Sequence, residues 1–582
     1  MNRFIFCLAV LGLLAVPHLA QTGRNVKPRV EIAFNRFYDH GQLTVELRRL
    51  VAAYPDLLTM QSIGKSYGGR DMWLVTVLNK ATGAEADKAA IWIDANVHGN
   101  EVQGSEVVLY TLWYLMENYG KIERITQLVD RRVFYCLPMV NPDGRDHWFH
   151  GANTSSSSRT GIAPIDDDGD GLFDEDGPDD LDGDGSIVQM RKKVERGGTH
   201  KLDPDEPRRM IRVKPGEEGV YVMLGQEGVD NDGDGLTNED GIGGYDMNRN
   251  DPTDWQPNYV QFGAGTYPLC WPETRCIADF ILAHPNIAAV QSYHNSGGMI
   301  LRGPGAATVP EYPAEDLAVY DKLGRDGEFM LPFYRYMVIH KDLYTVHGGF
   351  VNWTAEGLGI VSFTNELWAD PQFYGKAASP GGGQDDGAAA RRPSDRLKWD
   401  DLVMLGAQMS PWKPAKHPIH GDIEIGGWSK YSERVPPAFM LEELCHRNAA
   451  FTFVHAEAMP DVSFQELGSK VEKLGEKLYR VRVELENKAV IPTRTALAAE
   501  RRAGLPDFLT IRGAKALAAG IVRLGPPKDQ TTPIEGDPSR LRLERGIGSQ
   551  ARLTVEWLVD GPGPFEVEYV SQKGGTRKTT VK

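Results

Sequence analysis

A histidine and a carboxylate three residues apart, His98 and Glu101, could bind a metal ion from the stretch DANVHGNEVQGS at residues 94–105. The same pair also fits the polar start of a helix and is common by chance. Two side chains leave a catalytic zinc one protein ligand short, because such a site uses three protein ligands and keeps a fourth position open. His294, in AAVQSYHNSGG, is the candidate third ligand. Both histidines end apolar stretches that predict buried strands, and ligands bind at the carboxyl ends of strands in open α/β sheets.

Four further side chains fit a site that attacks a substrate with a free carboxylate. Asn248 and Arg249, in YDMNRN, offer a neutral donor and a planar, always charged fork suited to a carboxylate. Glu366 follows an apolar strand pattern, a costly place for a carboxylate without a partner, although a salt-bridged or capping glutamate is the alternative. Tyr344 precedes a Gly-Gly turn that would allow its side chain to move.

The elements that must position these residues alternate between strand and helix patterns. Apolar, β-branched strand patterns cover 71–79, 89–97, 131–144, 288–295 and 357–368. Helical patterns lie at 44–58 and 105–119, and this alternation predicts an α/β domain with a mixed, mostly parallel sheet flanked by helices. After about residue 460, period-two stretches and a Gly-Gly hairpin predict a small all-β, sandwich-like domain. The predicted organisation is a signal peptide at 1–20, a catalytic domain at 30–460 with an insertion at 150–242 and a flexible loop at 376–396, and a β domain at 461–582.

The N-terminus predicts export, because Phe4 to Val16 is an apolar run after an arginine and before small residues. No second long apolar run follows, so the mature protein is expected to be soluble, in the periplasm or the medium, and monomeric. The net charge is −16, and sixteen acidic residues without any lysine or arginine lie in 166–184 and 230–240. Such a surface argues against a nucleic-acid partner and favours cations.

Those acidic stretches contain two copies of the pattern D-x-D-x-D-G. Alternating carboxylates with glycine at the turn suit Ca²⁺, which takes six to eight oxygen ligands. The absence of glutamate at the twelfth position excludes EF-hands, and the loops resemble the calcium loops of thrombospondin type 3 repeats. A solvated acidic loop without calcium is the alternative. The candidate ligands are Asp166, Asp168 and Asp170 in the first copy and Asp230, Asp232 and Asp234 in the second.

The order of these motifs resembles the zinc carboxypeptidase family of carboxypeptidase A type. The likeness runs over about residues 35–370, from YPDLL through HGNE, NPDG, DMNRN, SYHN and YTVHGGFVNW to SFTNEL. It implies that His98, Glu101 and His294 bind zinc, that Asp246 holds a ligand histidine by a hydrogen bond, and that Glu366 is the general base acting on zinc-bound water.

The same resemblance assigns the substrate contacts. It implies that Asn248 and Arg249 grip the terminal carboxylate of a peptide and that Tyr344 closes over it. Arg191, in VQMRKKV, is the predicted stabiliser of the developing oxyanion. Val351 falls where side-chain preference is set and predicts apolar or aromatic C-terminal residues.

The resemblance therefore implies a secreted zinc metallocarboxypeptidase that acts on peptide or protein C-termini. Two other functions stay open at this point. One is cleavage of bacterial cell-wall peptides, and the other is calcium-dependent binding by a noncatalytic relative.

Overall fold

The structure is a computed structural model and describes residues 27–166, 169–369, 393–523, 525 and 529–582. The predicted signal peptide and residues 376–392 of the predicted loop lie outside the described residues. An eight-stranded mixed sheet of order β1-β2-β4-β3-β9-β12-β10-β11 dominates the N-terminal part. Its strands are β1 Leu58–Lys65, β2 Asp71–Val77, β3 Ala90–Ala95, β4 Val133–Leu137, β9 Ile287–Asn295, β10 Met299–Arg302, β11 Arg335–Val338 and β12 Val361–Leu367. The four central strands, β4, β3, β9 and β12, are mutually parallel, whereas β1, β2 and β10 join antiparallel.

Both faces of this sheet are buried. Alternate residues of one strand point to opposite faces, and both sets belong to a hydrophobic core. Along β3, Ile91 and Ile93 belong to one hydrophobic core, and Ala90 and Trp92 belong to the other. The flanking helices contribute many of the other side chains in these cores, which confirms the predicted α/β class. They are α1 His40–Ala53, α2 Gln103–Asn118, α3 Glu123–Arg131, α4 Pro142–His150, α5 Pro272–Ala283, α6 Ala314–Met330, α7 Pro393–Leu402 and α8 Leu441–Glu457.

Helix α4 begins inside the segment 131–144, which the sequence analysis predicted to be a strand. Asn141 is its N-cap, since its Oδ1 accepts a hydrogen bond from the Gly144 backbone N–H at 2.8 Å. Pro142 is tolerated at the first helical position because its missing N–H would have no intrahelical partner there. The motif NPDG therefore starts a helix, and the preceding strand ends at Leu137.

A fully buried ion pair fixes the loop between β3 and α2. Arg145 donates to Glu106 at 2.8 Å, to the Val102 carbonyl at 2.9 Å and to Asn96 at 3.2 Å. Both charged side chains are completely buried. The guanidinium thus holds the two ends of the segment that carries His98 and Glu101.

We expect Arg145→Met to destabilise the protein by about 3–5 kcal/mol, because it leaves the Glu106 carboxylate buried without its partner. Urea unfolding followed by circular dichroism measures this change. Arg325→Met is the matched control: Arg325 lies exposed on α6, and its loss should change the free energy of unfolding by less than about 0.5 kcal/mol. Equal stabilities of the two variants would contradict a structural role for the pair.

Part of the predicted insertion forms a second, six-stranded antiparallel sheet of order β13-β14-β5-β8-β6-β7. The insertion supplies four of its strands, and the segment after α7 supplies two. They are β5 Gln189–Gly198, β6 His200–Leu202, β7 Met210–Arg212, β8 Gly219–Gln226, β13 Met409–His417 and β14 Gly421–Trp428. The sequence analysis placed no strands here, because several are short and their burial does not alternate strictly.

The C-terminal part consists of two antiparallel sheets that share one hydrophobic core, as predicted. Trp557 from the five-stranded sheet and Tyr569 from the four-stranded sheet are both fully buried in that core. The first sheet contains β15 Val462–Lys473, β16 Leu478–Asn487, β18 Lys515–Arg523, β19 Gln530–Pro533 and β21 Arg552–Asp560. The second contains β17 Asp507–Arg512, β20 Arg540–Leu543, β22 Phe565–Ser571 and β23 Gly575–Val581.

A short helix, α9 at Ala496–Arg501, joins this β unit to the N-terminal part. The Asp316 carboxylate of α6 accepts the backbone N–H groups of Ala496 and Leu497 at 2.9 and 2.8 Å. Among the described residues, no helix has both the length and the apolar character needed to cross a bilayer.

Candidate metal centre

Three adjacent parallel strands bring the predicted ligands and the predicted base together. The order β3-β9-β12 places the carboxyl ends of these strands side by side. His98 and Glu101 follow β3, His294 lies near the end of β9, and Glu366 pairs with His294 in the β9–β12 register. Parallel pairing alone therefore gathers residues that are up to 268 positions apart in the chain.

His98, Glu101 and His294 form a compact, buried set of ligand atoms. Nδ1 of His98 lies 2.9 Å from one carboxylate oxygen of Glu101, and Nδ1 of His294 lies 3.0 Å from the other. The two Nδ1 atoms are 3.2 Å apart. A tetrahedral zinc with bonds of about 2.0–2.1 Å separates its ligand atoms by roughly 3.3 Å, so this set fits zinc.

Local backbone geometry explains how two ligands fit into four residues. The Glu101 N–H donates to the His98 carbonyl at 3.1 Å, which closes a turn before α2 starts at Gln103. Nδ2 of Asn96 donates to the His98 and Gly99 carbonyls at 2.7 and 3.1 Å. The predicted ligands thus lie in a braced turn ahead of the helix, which begins at Gln103, two residues before the predicted start at 105.

Asp246 contacts one of the two predicted ligand histidines. Its Oδ1 accepts a hydrogen bond from Nε2 of His98 at 3.1 Å, which leaves Nδ1 of that ring free to bind the metal. Burial alone would raise the pKa of Asp246, but His98, Arg249 and Arg159 outweigh burial and hold it well below its usual value. Asp246 is therefore a carboxylate at neutral pH, as its predicted role as a hydrogen-bond acceptor requires.

The Glu366 carboxylate lines the same cleft, next to the ligand set. Burial raises the pKa of Glu366 to about 7, the nearby Glu101 charge adds to this effect, and His294 and Arg159 oppose it in part. A carboxylate with a pKa near neutrality can both accept and return a proton, which suits a general base.

The cleft has a volume of ≈ 570 Å³ and contains the predicted substrate contacts as well. Oδ1 of Asn248 accepts the Phe350 N–H at 2.9 Å, which leaves its amide NH₂ as the free donor. The predicted residues that line the cleft together with the ligand set are Asp246, Asn248, Arg249, Tyr344, Val351 and Glu366.

The structure adds two arginines that the sequence analysis missed. Arg159 donates to Oε1 of Glu101 at 3.0 Å and lies 3.4 Å from Oδ2 of Asp246. Arg434 lies 3.7 Å from the same Glu101 oxygen and donates to the Asn295 carbonyl at 2.9 Å. Asp246 and Glu101 raise the pKa of Arg159 despite its burial, so its guanidinium stays charged beside the ligands.

The comparison with protein-family models decides the family. Residues 43–172 and 221–379 match the model described as zinc carboxypeptidase. The chain belongs to the zinc carboxypeptidase family. The gap in the match, 173–220, falls within the predicted insertion, and residues 466–582 match a domain of unknown function.

The chain aligns with only a small part of the length of each curated relative. Carboxypeptidase D of Drosophila melanogaster is 35% identical over 132 residues, which are 22% of this chain and 9% of that protein. A zinc carboxypeptidase of Saccharothrix mutabilis subsp. capreolus is 29% identical over 114 residues, 20% of this chain and 26% of that protein. The crystal structure of carboxypeptidase A from Helicoverpa armigera aligns with a TM-score of 0.39 and 18% identity, covering 58% of this chain and 66% of that one.

The prediction for Arg191 is wrong, since this arginine does not lie in the metal cleft of the zinc carboxypeptidase domain. It lies on β5 of the second sheet, pairs with Glu424 at 2.6 Å, and packs over the Trp412 ring at 4.1 Å from the centroid. The first acidic stretch, 166–184, separates this strand in the sequence from the segments that line the cleft, so spacing along the chain misled the assignment. Arg159, which comes before the first acidic stretch, lies beside the predicted zinc ligands instead.

The predicted calcium ligands lie apart from the predicted zinc ligands in the sequence and, where the structure describes them, are less buried. Asp230, Asp232 and Asp234 each offer an oxygen within 4.8 Å of the others. Asp166 and Asp170 are described, whereas Asp168 lies outside the described residues. The likeness of these loops to thrombospondin type 3 repeats stays a prediction.

Proposed function

We propose that this chain is an exported zinc metallocarboxypeptidase that removes C-terminal residues from peptides or proteins. The observation that carries the proposal is the joint lining of one cleft by the three ligands, Glu366 and Arg249. The three ligands supply a metal site, Glu366 supplies a base, and Arg249 supplies a cation for a terminal carboxylate. Export rests on the N-terminal sequence pattern, and action as a monomer stays a prediction.

Zinc, when bound to His98, Glu101 and His294, supplies a Lewis acid that polarises a carbonyl and lowers the pKa of water. The Glu366 carboxylate accepts the proton of the attacking water and returns it to the leaving amine. Arg159 donates hydrogen bonds to the oxygen on which negative charge develops. Asp246 keeps the His98 ring in the orientation that the site needs.

Arg249 and Asn248 confer selectivity for chain ends. Arg249 is 8% exposed, and its Nη1 donates to the Asn248 carbonyl at 2.8 Å, which fixes the guanidinium in the cleft wall. A charged, oriented fork binds a free carboxylate more strongly than an amide. This contact supports exopeptidase rather than endopeptidase action.

The apolar wall of the cleft supports a preference for apolar or aromatic C-terminal residues. Val351 is 5% exposed and lines the cleft together with Leu301 and Val346. Arg302 would favour acidic C-terminal residues if it faced the substrate side chain, but it pairs with Glu311 at 2.9 Å and is not among the residues that line this cleft.

We expect Val351→Asp to reduce release of C-terminal phenylalanine at least tenfold and to make release of lysine or arginine measurable, because a carboxylate would then face the substrate side chain. Steady-state kcat/KM values on peptides that differ only in the last residue measure the change. Val351→Asn introduces a side chain with the shape of aspartate but no charge. It should lose phenylalanine release without gaining activity on the basic substrates. A gain for basic substrates in both variants would refute the electrostatic explanation.

The proposed function is tested with N-blocked dipeptides that end in different residues, each with a free and an amidated C-terminus. We expect zinc-dependent release of phenylalanine or leucine from the free acids, and at least about 100-fold slower cleavage of the amides. Removal of zinc by a chelator should abolish release, and added zinc should restore it. Cleavage limited to peptides with diaminopimelate would favour the cell-wall function, and zinc binding without any hydrolysis would favour the noncatalytic one.

A further inference from the structure

Three carboxylates from the two acidic loops converge at the base of the insertion. We define the first acidic loop as residues 166–176 and the second as residues 230–240. Asp176 from the first loop and Asp232 and Glu239 from the second each offer one oxygen within 4.8 Å of the others. Oxygens that bind one Ca²⁺ at about 2.4 Å lie no more than about 4.8 Å apart, so these three can share an ion.

Asp176 provides the observation that separates this cluster from an ordinary acidic surface. Its side chain is completely buried, and its Oδ1 accepts a hydrogen bond from Asn231 at 3.1 Å. Its Oδ2 is buried and has no hydrogen-bond partner within the described parts of the chain, and both carboxylate oxygens of Glu239 share this property. Burying an ionised carboxylate without a partner is costly, and a bound divalent cation removes that cost.

The pairing of the loop ends explains why the carboxylates come from different loops. The loops have identical residues at eight of eleven positions, DDDGDGLFDED against DNDGDGLTNED. Their last residues, Asp176 and Asp240, form an isolated antiparallel β-bridge. This bridge sets Asp176 beside Glu239 of the opposite loop.

Within the second loop, backbone groups already satisfy the first aspartate. The two Asp230 oxygens accept the N–H groups of Gly233 and Gly235 at 2.6 and 3.1 Å. The buried oxygens of Asp176 and Glu239, by contrast, have no donor among the described residues, and both side chains place an oxygen close to one of Asp232. We therefore propose that Asp176, Asp232 and Glu239 form a calcium site shared by the two acidic loops, rather than a site made by one loop alone.

The position of this site connects it to the cleft. The first loop begins seven residues after Arg159, and the second ends six residues before Asp246. The Gly161 N–H donates to the Tyr245 carbonyl at 3.2 Å, so the two chain segments run side by side between the calcium site and the cleft. An ion that requires both loops closes the base of the insertion and steadies the segments that carry Arg159 and Asp246.

The test is calorimetric titration of Ca²⁺ into the full-length, zinc-loaded protein, with thermal melting in parallel. We expect the wild type to bind Ca²⁺ and to melt roughly 5 °C higher in its presence. Asp176→Asn should weaken calcium binding at least tenfold or remove one equivalent, and should lose most of the calcium-dependent melting shift. Asp205→Asn makes the same charge change at an exposed position of the insertion and should behave as the wild type.

Glu239→Gln, at a half-buried position, repeats the test in case Asp176→Asn fails to fold. Wild-type calcium stoichiometry and affinity in both variants would overturn the shared site, because a single loop would then suffice. Binding of Mg²⁺ as tightly as Ca²⁺, or no calcium binding by the wild type, would overturn the assignment of calcium. None of these readouts depends on peptide hydrolysis, so the result is independent of the proposed peptidase function.

Discussion

Glu366→Gln should lower kcat for release of a C-terminal residue by about 100- to 10,000-fold while zinc stays bound, because the substitution removes only the proton acceptor. Glutamine has nearly the shape of glutamate and no basic oxygen. Glu366 is not one of the three metal ligands, so zinc affinity should change little. The measurement is kcat on a blocked dipeptide, with the zinc content of each preparation determined by elemental analysis.

The pH profile gives an independent readout of the same residue. The base must be ionised to act, so kcat/KM should rise with pH through the pKa of Glu366. Burial and Glu101 raise this pKa to about 7 in the protein without zinc, and the charge of a bound zinc would lower it. The acidic limb should therefore fall at or below about pH 7 in the wild type. Residual activity of Glu366→Gln with an unchanged acidic limb would show that another group is the base.

Control variants separate loss of the base from loss of the site. His294→Ala should lose both zinc and activity, since it removes a metal ligand. Glu356→Gln changes another buried glutamate, one that pairs with Arg501 at 3.4 Å outside the residues that line the cleft, and it should keep most of the activity. Zinc loss in Glu366→Gln would instead indicate that this residue supports the metal.

The central sheet was predictable because its signals are local. Buried parallel strands are continuous apolar runs. The run at 89–97 contains the observed β3, and the run at 288–295 covers all of β9 except its first residue. The boundaries shifted by two or more residues where capping decides them, as at Asn141, whose side chain begins a helix after β4. The second sheet was missed because its strands come from two segments far apart in the chain, and neither segment has a hydrophobic pattern that reveals its partner.

The convergence of the predicted ligands was predictable because strand ends in a parallel sheet meet at one edge. His98, His294 and Glu366 each follow an apolar run, so their convergence follows from topology. Arg159 and Arg434 gave no such signal, since they lie in irregular segments. The backbone N–H of Gly99 donates to the Arg159 carbonyl at 3.1 Å, and this long-range contact, which only the fold creates, holds Arg159 beside the metal loop.

Substitutions of Arg159 and Arg191 test which of the two arginines stabilises the oxyanion. Arg159→Gln should reduce kcat by about 100- to 1000-fold, the usual effect of removing one donor to a developing oxyanion. Arg191→Gln should leave kcat and KM within about twofold of the wild type, because its guanidinium pairs with Glu424 and packs over Trp412 in the second sheet. Loss of those contacts should instead lower the free energy of unfolding by about 1–3 kcal/mol.

Arg159 also contacts Glu101 and Asp246, so its substitution could act through the ligand set. Arg159→Lys distinguishes the two effects: the lysine keeps the positive charge but not the planar pair of donors. If Arg159 stabilises the transition state, Arg159→Lys should bind zinc as the wild type does and recover only part of kcat. If Arg159 only steadies the ligands, kcat per bound zinc should equal that of the wild type in both variants. A large loss of kcat in Arg191→Gln, with full activity in Arg159→Gln, would return the oxyanion role to the strand that the sequence first suggested, and would require the insertion to move over the cleft when substrate binds.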